Sequence, residues 1–400
     1  MSRIVAAIVV ALALASAQAA AQLSLPQVNV PGVPSVGDAL GQLPEAEQAL
    51  DPALLRDVRQ LRIRELLRTH RRQLEADPDG QPIIRSQILA LAPSEAALAA
   101  ARAAGFTIVS TEQLGAFGAM VVLRAPPNLS TRRALRLLRE ADPDGVFDFD
   151  HLHIESGGSE PASAAAGANG GGDGVRVGLI DSGVDAGTAV AAQRGFSGGQ
   201  AVAGAHGAIV SSLILSTAPH ARLYVADIYG GSPVGGTSSA MARGLAWLAA
   251  ERVPVINVSL VGPRNRIVET AVEHLVDDGF LIVAAVGNDG PAAPPLYPAA
   301  YDGVIGVTGV DRRGRVLVEA GRGPQVDFAA LGLAGRVRGT SYAAPIVAGM
   351  LANHAGDPSS PNAARAVGAL SRQARDLGAR GRDDVYGAGL VAPADSVAAR

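Results

Sequence analysis

The sequence predicts an α/β protein built on a parallel sheet, with a small α+β domain in front of it. Three observations predict this. Beyond residue 175, short β-branched apolar runs alternate with segments of helical spacing; before residue 155 the order is strand, helix, strand, strand, helix, strand; and between them "ESGGSEPASAAAGANGGGDG" has the composition of a flexible linker. The chain has room for both units, since 400 residues, 48% of them hydrophobic, can bury more than one core.

Residues 1–21 read as an export signal. "MSRIVAAIVVALALASAQAAAQ" carries one arginine, an apolar run shorter than the roughly 20 residues that span a bilayer, and small residues in an A-x-A pattern from Ala17 to Ala21. The expectation is an exported protein, periplasmic or extracellular, with no stable membrane insertion. Residues 22–86 form a lead-in. Its first part, 23–50, is rich in Pro, Gly, Val and Gln without a period, whereas Leu54 to Leu74 repeats leucine and isoleucine at three- and four-residue steps with arginines between. That spacing predicts an amphipathic helix with a solvated basic face.

Residues 87–155 form the front domain. The strand "ILALA" is followed by the helix "SEAALAAARAAG" with Ser94 as cap, the strands "FTIVS" and "AMVVLRA", a helix after Ser130 and Thr131, and the strand "GVFDFDHL". This order suits a ferredoxin-like antiparallel sheet with two helices on one face. Residues 156–174 are the linker, and 175–400 the main domain. There "VRVGLID", "ARLYVADI", "VPVINVS", "FLIVAAV" and "GVIGVTGV" are continuous runs suited to strands buried on both faces. "HGAIVSSLILS", "SSAMARGLAWLAAER" and "IVETAVEHLVDDG" supply the covering helices. A sheet of this kind places its site at the carboxyl edge of the strands.

Composition removes several classes of function. The net charge is −3, and 34 basic residues, all arginine, are offset by 37 acidic ones without a long single-sign block, which argues against a nucleic-acid partner. The absence of cysteine removes disulfides, thiol nucleophiles and thiolate-bound zinc. No dense aspartate cluster would hold calcium, so no metal and no cofactor are expected. A nucleotide-binding reading fails because "DSGVDAG" lacks the G-x-G-x-x-G turn.

Four residues carry chemistry at such edges. Asp181 ends the strand "VGLID"; taken alone it is as readily a turn or helix cap. His206, in "AGAHGAIVSSLI", stands at a helix start, where the helix dipole favours a neutral ring. Asn288, in "VGNDG", follows a buried strand and is suited either to a turn or to donating to an oxyanion. Ser341, in "GTSYAAPIVAG", reads as a helix cap beside free backbone amides, because Pro345 is expected in the first helical turn. The other histidines, His70, His151, His153, His220, His274 and His354, carry no such context.

Taken together in this order, "LIDSGVD", "HGAIVSSLI", "INVSL", "VGNDG", "YPAAY" and "GTSYAAP" resemble the subtilisin-like serine peptidases, over about residues 175 to 390. The order Asp, His, Ser is the one given for subtilisin in general accounts of the triad. The resemblance implies a three-layer subtilisin-like domain in which Ser341 attacks a peptide carbonyl, His206 relays its proton, Asp181 orients the imidazole, and Asn288 stabilises the oxyanion. It implies that an extended substrate lies against Ser259, Leu260, Val261 and Gly262, with Ala285, Val286 and Gly287 in the wall of the primary pocket. From the apolar wall, a preference for apolar or aromatic residues before the cut is expected. The front domain is similar to the propeptides of this family, so its partners are expected to be protein or peptide substrates and its own propeptide, with cleavage between about Glu155 and Gly174.

The sequence departs from the family pattern at Ala208, Ser211 and Ser212 after the histidine, at Val261 where glycine is usual, and at Leu331 where proline is usual. These motivate an alternative: a catalytically degenerate subtilase that binds a peptide or partner without cutting it.

Overall fold

The computed structural model of the chain describes residues 52–155, 174–232 and 235–393. The export signal, the 23–50 lead-in and nearly all of the linker lie outside the described residues.

Seven parallel strands form the main sheet, in the order Phe328–Leu331, Ile305–Val310, Leu281–Ala285, Val255–Val258, Arg176–Asp181, Arg222–Asp227 and Ala192–Gly195. Their apolar runs are continuous because each strand buries both faces. Along Arg176–Asp181, Val177 and Leu179 enter one core while Ile180 enters the other. The first core holds the helices Ala205–Thr217, Thr340–Ala352 and Ser360–Gln373 through Val210, Ile214, Val347, Leu351 and Leu370. The second holds Ser238–Ala250 and Arg266–Asp277 through Leu245, Leu248, Val268 and Val272. This is the three-layer α/β arrangement expected.

In front of it, Pro82–Leu91, Thr107–Gln113, Ala119–Arg124 and Val146–Glu155 pair antiparallel. The helices Glu95–Ala103 and Thr131–Ala141 start where expected, with Ser94 and Ser130 accepting from Ala97 N and Arg133 N. Both cover one face, on Ile88, Val121, Leu123 and Phe149. The opposite face, with Leu89, Met120 and Val122, packs into the same core as Met241, Leu245 and Leu275 of the main domain.

Two boundaries differ from expectation. The first front strand begins at Pro82, not at 87–88, because it runs through the polar "RSQ" with a register irregularity at which Ser86 takes φ 59°. The leading helix is Pro52–Thr69, and Leu74 belongs to a short strand, Leu74–Ala76, paired with 82–84. Leu74 continues the helical period but is claimed by packing on Leu66, Ile84 and Leu152.

The last front strand leaves its own domain. Leu152 and His153 pair with Thr237 and Gly236 on one side, and Ile154 and Glu155 pair with Val261 and Leu260 on the other, all antiparallel. A strand from the front domain is thus held between two short segments of the main domain.

Candidate active site

Asp181 is the last residue of its strand, and its carboxylate is fully buried. Ser182 holds it by donating from its backbone N (2.7 Å) and hydroxyl (3.2 Å) to Oδ1. His206 is the second residue of its helix, and its Nδ1 lies 2.9 and 2.8 Å from Asp181 Oδ1 and Oδ2. The helix can come this close because residue 207 is glycine: a Cβ there would stand 2.3 Å from Ser182 O, while Gly207 N donates to Ser182 Oγ at 3.0 Å. Hence Asp181 fixes the ring with Nδ1 as donor, and Nε2 faces away from the carboxylate.

His206 Nε2 is buried and has no hydrogen-bond partner among the described residues. The ring pKa is set by a contest. Burial, the largest effect, pushes it down, but the charges of Asp181 and Glu155 and the hydrogen bond that the ring donates to Asp181 outweigh this and raise it to about 9. The helix-dipole expectation of a neutral ring is therefore corrected: two carboxylates exceed the partial charge of a helix end.

The helix of Ser341 begins at Thr340 with Gly339 as cap, so Ser341 lies inside the first turn and is not itself the cap. Pro345 lies beyond the first turn, where it lacks the amide that would bond Ser341 O. The freed carbonyl accepts from Ser259 Oγ at 2.9 Å, and Asn257 Nδ2 donates to that hydroxyl at 2.9 Å. Proline inside a buried helix thus becomes an anchor, tying the serine turn to the "INVSL" segment. Ser341 Oγ donates to Ser259 O at 3.1 Å. The ring of the next residue, Tyr342, lies 5.8 Å from that of His206, so the start of the Ser341 helix lies close to the histidine.

Asn288 follows the strand Leu281–Ala285. Its Oδ1 accepts from Thr340 N at 3.0 Å, which fixes the amide orientation. Its Nδ2 is left buried, with no partner among the described residues. A buried amide donor with its acceptor already engaged is what a developing oxyanion needs.

The expected substrate-contact residues divide into two groups. Leu260 and Val261 form the short strand that receives Ile154 and Glu155, with Ser259 before it. Gly262 exchanges backbone hydrogen bonds with Tyr297 (2.9 and 3.0 Å) and lies against the His153 ring, whose Nδ1 a Cβ would meet at 2.5 Å. Ala285 and Val286 are buried in the sheet, and Gly287 lies against Leu296. Among the departures, Ser211 and Ser212 turn their hydroxyls back to Ala208 O and Ile209 O, and the helix still packs tightly, since Gly349 brings the Ser341 helix against Thr217.

Sequence reading missed three contributors. Glu155 adds its charge to His206, and His153 is fully buried, with Nε2 3.0 Å from Ser238 Oγ. Asp289 forms an ion pair with Arg59 of the leading helix at 3.2 Å, with only 12% and 10% of their side chains exposed. Part of the expected solvated basic face is therefore buried. The available signal was the position of Asp289 directly after Asn288. Among the described residues no cluster suited to a metal occurs, and no helix is long and apolar enough to cross a membrane.

Comparison with known proteins bears on the family and the fold. The profile of the Subtilase family matches residues 172–389. The Minor extracellular protease Epr of Bacillus subtilis (strain 168) is 29% identical over 246 residues, which are 55% of this chain and 38% of that protein, so the chain spans well under half its length. Subtilisin DY of Bacillus licheniformis is 30% identical over 249 residues, 54% of this chain and 88% of that protein. The crystal structure of fervidolysin from Fervidobacterium pennivorans, described as a keratinolytic enzyme related to subtilisin, superimposes with a TM-score of 0.64 at 18% identity, covering 81% of this chain and 62% of that one. It shares the fold.

Proposed function

Because this chain belongs to the subtilase family, we propose that it is an exported serine endopeptidase, made as a zymogen that processes itself, with Asp181, His206, Ser341 and Asn288 as its machinery. The observation that carries this reading is the pair of buried, unpartnered atoms His206 Nε2 and Asn288 Nδ2, each fixed from behind by Asp181 and by Thr340 N. In its neutral form, reached above about pH 9 in this chain, the first accepts a proton, and the second donates to an oxyanion.

In the proposed reaction Ser341 Oγ leaves Ser259 O, gives its proton to His206 Nε2 and bonds to the substrate carbonyl carbon. The oxygen of that carbonyl takes the negative charge and accepts from Asn288 Nδ2 and the Ser341 amide. Collapse breaks the C–N bond, and the amine leaves with the proton from His206. Water then repeats the sequence on the acyl-enzyme and restores the serine. Asp181 holds the imidazolium throughout without taking its proton.

The front domain, in this reading, is the inhibitor and first substrate. Its strand lies against Leu260–Val261, the segment expected to receive substrate. The paired strand ends with Glu155 opposite Leu260, the residue next to Ser259, whose carbonyl accepts from Ser341 Oγ. The first cut is therefore expected just beyond Glu155 and not near Gly174. Export is supported by the signal-like residues 1–21 and by the extracellular relative.

The test is labelling with a fluorophosphonate followed by peptide mapping. The label is expected on Ser341 alone, and the Ser341→Ala chain is expected to keep its front domain covalently attached. No label on Ser341, together with binding of the front strand, would favour the non-cutting subtilase instead.

A further inference from the structure

In the reading given above, two donors must converge on one oxyanion, and they stand on different segments of the chain. Asn288 follows the strand Leu281–Ala285, whereas the Ser341 amide lies in the first turn of the helix Thr340–Ala352. Two hydrogen bonds join these segments directly: Thr340 N donates to Asn288 Oδ1 at 3.0 Å, and Gly287 N donates to Thr340 Oγ1 at 3.2 Å. Both pass through Thr340, so by themselves they fix one point of the helix start and not its direction.

A third tie is ionic. Arg338 ends the short strand Val337–Arg338, three residues before Ser341, and its Nε and Nη2 donate to Glu319 Oε1 and Oε2 at 2.8 and 2.9 Å. Both residues are buried, Glu319 completely. The backbone around Glu319 is held in turn by the Asn288 segment: Gly290 N donates to Glu319 O at 2.8 Å, and Gly321 N donates to Gly287 O at 3.0 Å. A Cβ at residue 321 would stand 2.9 Å from Val286 O, so glycine there lets the two backbones lie side by side. Glu319 thus grips the Asn288 segment by its carbonyl and the Ser341 segment by its carboxylate.

Stability alone is a poor account of this pair, because a buried ion pair often does no better than apolar side chains of the same volume. What two parallel hydrogen bonds between planar groups add is direction, since guanidinium against carboxylate fixes orientation as well as distance. Direction is needed here. Gly339, between Arg338 and Thr340, takes φ 145°, and a glycine gives that link no stiffness of its own.

We propose that Glu319 and Arg338 are positioning residues, whose ion pair sets the spacing between Asn288 Nδ2 and the Ser341 amide and so acts on the transition state through those two donors. The inference rests on the peptidase reading and adds to it two residues that do not touch the reacting atoms.

Processed enzyme should be assayed on a fluorogenic peptide as Glu319→Gln, as Arg338→Gln and as the double variant Glu319→Met with Arg338→Met. The double variant removes both charges at similar side-chain length and is expected to keep its urea midpoint near that of the parent chain. Each variant is expected to lose about 10- to 100-fold in kcat, with KM changed by less than about twofold and fluorophosphonate labelling of Ser341 slowed in parallel. Read on the first cut of the unprocessed chain, which needs no prior maturation, the same substitutions should cost no more than about threefold in an Asn288→Ala background, because a donor already removed cannot be misplaced. Unchanged turnover in the double variant, a loss that falls on KM, or a loss of full size in Asn288→Ala would overturn the inference, while labelling and turnover by the parent enzyme leave the peptidase reading standing. A double variant that no longer folds would assign the pair to stability and overturn it as well. A parent chain that neither labels nor turns over any peptide removes both.

Discussion

At His206 the outcome depends on which of two large effects wins. Burial favours the neutral ring, yet Asp181 at 2.8 Å and the charge of Glu155 prevail, raising the pKa to about 9 from an ordinary value of 6.5. A group whose folded pKa exceeds its unfolded one adds stability that is complete below 6.5 and lost as pH rises through 9. In the uncleaved Ser341→Ala chain, the urea midpoint is therefore expected to fall between pH 6.5 and 9, with the His206 ring titrating near the upper end by NMR. Glu155→Gln should shift that titration downward. A titration that ignores residue 155 would show that its charge does not reach the ring. If His206 is the base, as proposed, the same argument gives the rate an acid limb, since a protonated Nε2 accepts no proton from serine, and loss of Glu155 with a cleaved front domain is expected to move that limb to lower pH.

At the level of elements, the site depends on how closely one helix start can approach a strand end. Asp181 ends its strand, and the helix carrying His206 passes so near that Ser182 O leaves no room for a methyl group at position 207. Gly207→Ala should displace the helix by forcing Cβ away from that backbone oxygen. The expected cost is about 1–3 kcal/mol in unfolding free energy, as for overpacking in a core, and a loss of fluorophosphonate reactivity larger than the loss of stability. Denaturant melts and labelling rates on the same preparation check this, and a variant that labels at the normal rate would refute it. The Ser341 helix is placed differently, by the carbonyl that Pro345 sets free and Ser259 Oγ captures. One helix is seated backbone against backbone through glycine, the other by a side-chain hydroxyl that fills the place of a missing amide.

Over the whole molecule, the two domains meet through polar groups carried on one strand. Asp150 accepts from Ser239 N and Oγ at the start of one helix, and Asp148 Oδ2 accepts from Arg266 N at the start of another, so the strand supplies negative charge to two helix N-termini. His151 Nε2 faces Asp77 at 3.1 Å, while its Nδ1 accepts from Asn265 Nδ2. His153 is fully buried, and burial first, then the charges of His151 and Arg59, lower its pKa to about 3. Its folded value is depressed, so the sign is opposite to that of His206: the neutral ring favours docking above 6.5, and that contribution is lost as pH falls below it. After the first cut, affinity between the domains is expected to drop by up to about tenfold per pH unit below 6.5. Dissociation of the cleaved complex, followed by native gel between pH 7.5 and 5, checks this, and His153→Phe should flatten the dependence. An unchanged profile in that variant would assign the acid sensitivity elsewhere.

What could be read in the sequence follows from where information is local. Continuous β-branched runs announce strands buried on both faces, cap residues announce helix starts, and the contexts of Asp181, His206, Asn288 and Ser341 are each contained within a few residues. The front-domain order was legible for the same reason. Boundaries were less so: Leu74 keeps the helical period yet is pulled into a strand by Ile84 and Leu152, and "RSQ" looks polar enough to end a strand that in fact continues.

The sequence by itself determined the layered α/β architecture and singled out Asp181, His206, Asn288 and Ser341 as candidates, because periodicity and short motifs encode these without reference to distant residues. Only the tertiary structure decided that a front strand is threaded between Thr237 and Leu260, that Glu155 raises the pKa of His206, and that Arg59 reaches Asp289. The physical reason is that charge and burial act through space: residues separated by 51 or 230 positions in the chain become neighbours only when two cores pack against each other.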